Sequence, residues 1–107
     1  MDQDGTKDGF FMVSNALFDS GYPKVIGPIG VAVYCYLQRR ADRRGECFPK
    51  ARTIAADIGS SRATVFRALS DLEAVGLIGS RPERRTGRVN RFKVYQPRRG
   101  FQPSVKA

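Results

Sequence analysis

Histidine is absent from the 107 residues and cysteine occurs only twice, at Cys35 and Cys47. Without histidine, two cysteines cannot assemble a four-ligand zinc site by ordinary spacing rules. They fall on different expected elements and read as reduced, semi-buried fillers. Also missing are a Walker glycine-lysine loop, a strained serine elbow and carboxylates at useful spacing, so no enzyme activity, cofactor or metal is expected. Long apolar runs are equally scarce. The longest, Val31 to Leu37, falls far short of a bilayer span, and no membrane contact is expected. Asp2, Asp4 and Asp8 make the amino terminus unlike a secretory signal, which points to a cytoplasmic protein.

Acid is the scarce charge. Ten Asp and Glu stand against 19 Lys and Arg, a net +9, and the excess is uneven. Residues 80 to 107 hold nine Lys/Arg against one Glu, a net +8, whereas residues 1 to 79 hold ten against nine, a net +1. A positive field concentrated in one quarter of the chain suits a polyanion, because neutralising phosphates releases condensed counterions. A merely solvated basic surface is the alternative on charge alone.

The length suits one small domain. Residues 1 to 9 are polar and aperiodic and read as a disordered leader, residues 10 to 95 as the folded domain, and residues 96 to 107 as a basic flexible tail. Ser14 can cap a short helix through Asp19, which Gly21 and Pro23 are expected to break. Gly27-Pro28 then opens the first core helix, with Ile29, Ala32, Val33, Tyr36 and Leu37 at helical spacing. Arg39, Arg40, Arg43 and Arg44 are placed at its carboxyl end, where the macrodipole favours them, with Gly45 as the stop. Phe48 is expected as a core anchor in an extended link, and Pro49 introduces a second helix, Lys50 to Ile58, with Ile54, Ala55 and Ile58 inward. Gly59 permits a sharp left-handed turn, Ser61 caps the third helix, Arg62 to Val75, and Val65, Ala68, Leu69 and Leu72 form its inward stripe. Gly76 and Leu77 fit a Schellman closure onto Leu72. Strands are expected over Leu77 to Arg81, with Pro82 at the strand end, and over Val89 to Tyr95. In the second strand Asn90, Phe92 and Val94 share one face and Arg91, Lys93 and Tyr95 the other. The expected fold class is mainly α with a small β-hairpin (α+β): a three-helix core plus a wing.

Ala55, Gly59 and Val65 supply a small residue where two helices cross, a glycine at the bend and a branched apolar residue that locks the second helix. Plain helix packing accounts for these three as well. With Gly45-Glu46-Cys47-Phe48-Pro49, Ser61-Arg62-Ala63-Thr64-Val65, Leu72 through Ile78 and Arg88-Val89-Asn90-Arg91-Phe92, the chain from Phe10 to Tyr95 resembles the small winged helix-turn-helix domains of bacterial, phage and plasmid regulators and replication proteins. Similar domains often carry serine where Lys50 stands; the lysine removes a helix cap and brings a cation that can reach a phosphate.

The resemblance implies sequence-specific binding of double-stranded DNA by a transcriptional regulator. The origin-binding or partition domain of a plasmid or phage replication protein, or a protein-interaction winged helix, is the alternative. It places Ser61, Arg62, Ala63, Thr64 and Arg67 toward the major groove. Arg62 and Arg67 are either base readers, through paired hydrogen bonds to guanine, or phosphate contacts. Ser61 is either a contact or only a cap. Lys50, Arg52, Arg81, Arg84, Arg85, Arg88 and Arg91 form the wing and backbone set, with Arg84, Arg85 and Arg88 around the Thr86-Gly87 turn. One helix and one wing read few base pairs, so a homodimer or cooperative oligomer on the DNA is expected, in a nucleoid-associated cytoplasmic location.

Overall fold

The structure, a computed structural model, describes residues 9–82 and 89–99, with the side chains of 81, 82, 89 and 90 outside that description. Its elements run α1 (Ala16–Asp19), α2 (Tyr22–Arg40), β1 (Glu46–Cys47), α3 (Ala51–Ile58), α4 (Arg62–Ala74), β2 (Ile78–Pro82) and β3 (Val89–Val94). Four helices and a small antiparallel sheet make it mainly α with a small β part, as the pattern of residues implies. The leader through residue 8, the Thr86-Gly87 turn with Arg84, Arg85 and Arg88, and the tail from residue 100 lie outside the described residues.

Asn15, not Ser14, holds the cap position of α1, without a side-chain cap bond; Ser14 stands one residue earlier, its Oγ accepting the Ala16 N–H at 3.1 Å. The break expected at Gly21 and Pro23 is only half present. Gly21 does leave the helical region (φ 81), but Pro23 sits in the first turn of a new helical segment, where its missing N–H costs nothing. The discontinuity inside α2 lies at Gly27 (φ 75, ψ 171), and Pro28 restarts the helix there. From that point Gly30, Val33, Tyr34 and Leu37 are buried together with Ile26 and Tyr22. The helix stops at Arg40, earlier than Gly45. Arg39 and Arg40 occupy its last turn, while Arg43 and Arg44 belong to the following reverse turn. That turn is built on Asp42, whose Oδ1 accepts the N–H groups of Arg44 (2.8 Å) and Glu46 (3.0 Å). Those backbone bonds, Glu46 first, hold the Asp42 carboxyl below its usual range.

The hairpin is in fact part of a three-stranded sheet in the order β1-β3-β2. β1 pairs antiparallel with β3, Glu46 opposite Lys93 and Cys47 opposite Phe92. This register corrects the expectation for Phe48. Residues directly opposite share a face, so inward Phe92 brings Cys47 inward and turns Phe48 outward. Cys47 is 3% exposed and Phe48 60%. β2 pairs with β3 from Ile78 opposite Val94 to Pro82 opposite Val89, with a slip between Arg81 and Pro82 at the strand end. Phe92 and Val94 are buried and Arg91 and Tyr95 exposed, as the alternation requires.

One core joins these parts. Leu17 of α1, Val33, Tyr34 and Leu37 of α2, Ile54 of α3, Val65 and Leu72 of α4, and Leu77 are fully buried in a single cluster that also includes Phe92. Two tyrosines tie the chain beyond β3 to α2. The Tyr34 hydroxyl donates to the Tyr95 carbonyl (2.8 Å), and the Tyr22 hydroxyl accepts the Arg98 N–H (3.0 Å). Burial pushes the Tyr34 phenol well up, so it stays a donor. Pro97 is buried, so the stretch read as the start of a tail packs on the domain at least as far as Arg98.

Candidate nucleic-acid interface

The turn between α3 and α4 sets the geometry of the site. Gly59 is left-handed (φ 74, ψ 41), a region in which a Cβ is strained, and the Ala55 carbonyl closes the end of α3 by accepting the Ser60 N–H at 2.9 Å. Two residues later Ser61, in extended conformation, caps α4: its Oγ accepts the Thr64 N–H at 3.1 Å and donates to the Thr64 Oγ1 at 2.9 Å. Ala55 is buried at the crossing and Val65 fully so. The helix ends in a complete Schellman motif, with the Leu77 N–H donating to the Leu72 carbonyl (2.9 Å) and the Gly76 N–H to the Glu73 carbonyl (3.1 Å).

With Val65, Ala68, Leu69 and Leu72 buried, helical spacing turns the opposite side of α4 to solvent. Arg62, Ala63, Phe66, Arg67 and Ser70 are all exposed there, while Thr64 is half-buried at the edge. Small residues at 63 and 70 keep the centre of this face low, so an approaching surface can reach the backbone between the two arginines. Of the residues expected to face the groove, Ala63 and Arg67 share the side opposite the buried stripe, and exposed Arg62 lies on the flank with Phe66. Ser61 is committed to the cap, and Thr64 accepts from it.

Lys50 and Arg52 flank the other helix. Lys50 holds the cap position of α3 in extended conformation without any side-chain cap bond, so the helix starts one residue later than expected, and Pro49 precedes the cap. Its ammonium is exposed, as is Arg52. On the sheet Arg91 is exposed and stands opposite Arg81 in register, two cationic residues on adjacent strands. Lys93, by contrast, donates from Nζ to the Arg44 carbonyl. Arg84, Arg85 and Arg88 of the expected wing tip fall outside the described residues.

A brace holds α3 against α2. The Tyr36 hydroxyl donates to Asp57 Oδ2 at 2.6 Å, Arg40 Nη2 lies 3.5 Å from the same oxygen, and the Arg40 guanidinium sits over the Tyr36 ring, 5.2 Å from its centroid. The ion pair is half exposed and adds little stability by itself. Its effect is to engage Arg40 and to fix the angle of α3. Partial burial and the bond to Asp57 both raise the Tyr36 pKa, leaving its proton in place.

Two features escaped the sequence reading. Phe66, 60% exposed on the outer face of α4, carried a usable signal: it lies one position past Val65, off the buried stripe, and four past Arg62. The Tyr36-Asp57-Arg40 brace carried none, since its members become neighbours only when α2 and α3 cross.

Among the described residues no group of three or more His, Cys, Asp or Glu could hold a metal ion, and no helix is long and apolar enough to cross a membrane. Residues 26–78, about half of the chain and the span from the end of the first α2 segment into β2, match the family model of a helix-turn-helix domain. Comparison with curated proteins gives no match.

Proposed function

Since residues 26–78 are a helix-turn-helix domain of that family, we propose that the protein binds double-stranded DNA sequence-specifically as a transcriptional regulator, with α4 in the major groove and the arginine-rich wing along phosphates or the minor groove. The observation that carries this reading is the exposed outer face of α4, where Arg62 and Arg67 flank small residues on a helix that is capped at Ser61 and closed at Gly76. A guanidinium on such a face can donate two parallel hydrogen bonds to guanine O6 and N7. Lys50, Arg52 and Arg91 add exposed cations on the neighbouring elements, suited to phosphates.

A single module reads few base pairs, so the protein acts as a homodimer or cooperative oligomer on its site. It works in the cytoplasm, in association with the nucleoid, as a binding module without catalysis. The test is fluorescence anisotropy with a duplex recovered from a randomised pool, repeated across a salt series. If about six phosphates are neutralised, the log-log slope is near −5. A slope near zero, or no enrichment of any duplex, removes the DNA reading. Mapping the bound sites beside promoters supports regulation; a cluster at a replication origin assigns the same interface to replication.

A further inference from the structure

We propose that Phe66 is a specificity residue that packs on the 5-methyl group of a thymine in the bound site. The inference rests on the DNA reading above and adds to it a base identity that the arginines cannot supply. Phe66 is a large apolar ring left 60% exposed on α4. It follows Arg62 by one helical turn, so ring and guanidinium share one exposed flank of α4, while exposed Arg67, the next residue, projects from the adjoining side of the helix. Against a polyanion, an apolar ring in that setting gains binding energy only where it meets an apolar group. The major groove offers one, the thymine methyl, which no other standard base carries there.

The position on the helix strengthens the argument. Phe66 and Glu73 are seven residues apart and so lie on nearly the same line along α4. The Glu73 carboxylate accepts the Ser80 hydroxyl of β2 at 3.1 Å. Phe66 therefore occupies the flank of α4 that turns toward the sheet, whereas Ala63 and Ser70 lie at the centre of the exposed face. With small residues at the centre the helix sits deep, and the ring on the flank reaches a base edge to one side of those contacted by Arg67.

The test uses the full chain and a duplex selected from a randomised pool, in which each thymine is replaced singly by deoxyuridine, removing the methyl but not the pairing edge. Losing one buried methyl is expected to weaken wild-type binding about three- to five-fold at one position. Phe66→Ala is expected to bind the thymine and deoxyuridine duplexes equally at that position, and Phe66→Leu to keep part of the difference. Because the ring is exposed, both variants should unfold at the wild-type temperature. Tight binding that ignores every replacement, an unchanged penalty in Phe66→Ala, or a selected site without thymine overturns the role of Phe66 and leaves the DNA reading standing. Failure to retain any duplex overturns both.

Discussion

Arg67 and Lys50 are both exposed cations, yet their settings differ, and the proposed DNA binding assigns them different roles. Arg67 projects from the middle of a capped, closed helix, where a guanidinium has a fixed origin and can select a base. Lys50 stands at the uncapped start of α3, where a flexible ammonium acts as a point charge. Arg67→Ala is therefore expected to cost about 1 to 3 kcal/mol on the preferred duplex and to relax preference at one base position. Lys50→Ala should weaken all duplexes alike and reduce the salt slope by about 1. Anisotropy titrations on preferred and scrambled duplexes compare them, and identical profiles for the two variants would contradict this division. Cys47 makes a different kind of prediction. Burial, with Asp42 nearby, raises its thiol from 9.0 to about 11. The folded protein thus holds this proton more tightly than the unfolded chain. The associated stability is complete below the ordinary thiol range and is lost as pH rises between those two values. Urea midpoints measured from pH 8 to 11 should fall less steeply for Cys47→Ala than for the wild type, and parallel curves would refute the assignment.

Helix ends follow from neighbours in the chain, and here the amino acids are explicit. Gly59 and Gly76 are both left-handed, Ser61 makes the cap bond, and Leu77 closes on Leu72. Each depends on atoms within six residues, so turn and cap chemistry suffices to read them. Nothing lies within 4 Å of a Cβ added at Gly76, so Gly76→Ala tests backbone strain alone. It is expected to destabilise by about 1 to 2 kcal/mol in urea unfolding, the cost of a left-handed L-residue. An unchanged midpoint would mean that the closure contributes nothing. Strand pairing is less readable. β1 is two residues long and gains its identity only from β3, far along the chain. Propensity over so short a stretch cannot distinguish a strand from a link, and the choice of Cys47 over Phe48 for the interior was decided by the partner's register.

The molecule as a whole is held by α2, which packs against α1, α3 and α4 and fastens the residues after β3 through Tyr22 and Tyr34. The outer face of α4, proposed to meet DNA, carries little of that burden, because its side chains point away from the core. Core and interface variants should therefore separate cleanly. Leu69→Ala opens space under α4 and is expected to cost about 2 to 5 kcal/mol, measured by urea unfolding, while its binding at a temperature where it remains folded stays near wild type. Weak binding by a fully folded Leu69→Ala protein would show that the inward stripe also shapes the face.

Periodicity, capping residues and the sign of the charge were enough to place the two helices of the reading unit, the turn between them and the cationic residues on their outer sides. These are local properties, written within one or two helical turns, and they survive whatever surrounds them. Contacts between distant segments decided the rest: the third strand, the exchange of Cys47 and Phe48, the extra helical turn at Tyr22 and the brace on Asp57. In each case the outcome depends on which surface a residue finds opposite it, and that is settled only when the helices and the sheet close on a common core.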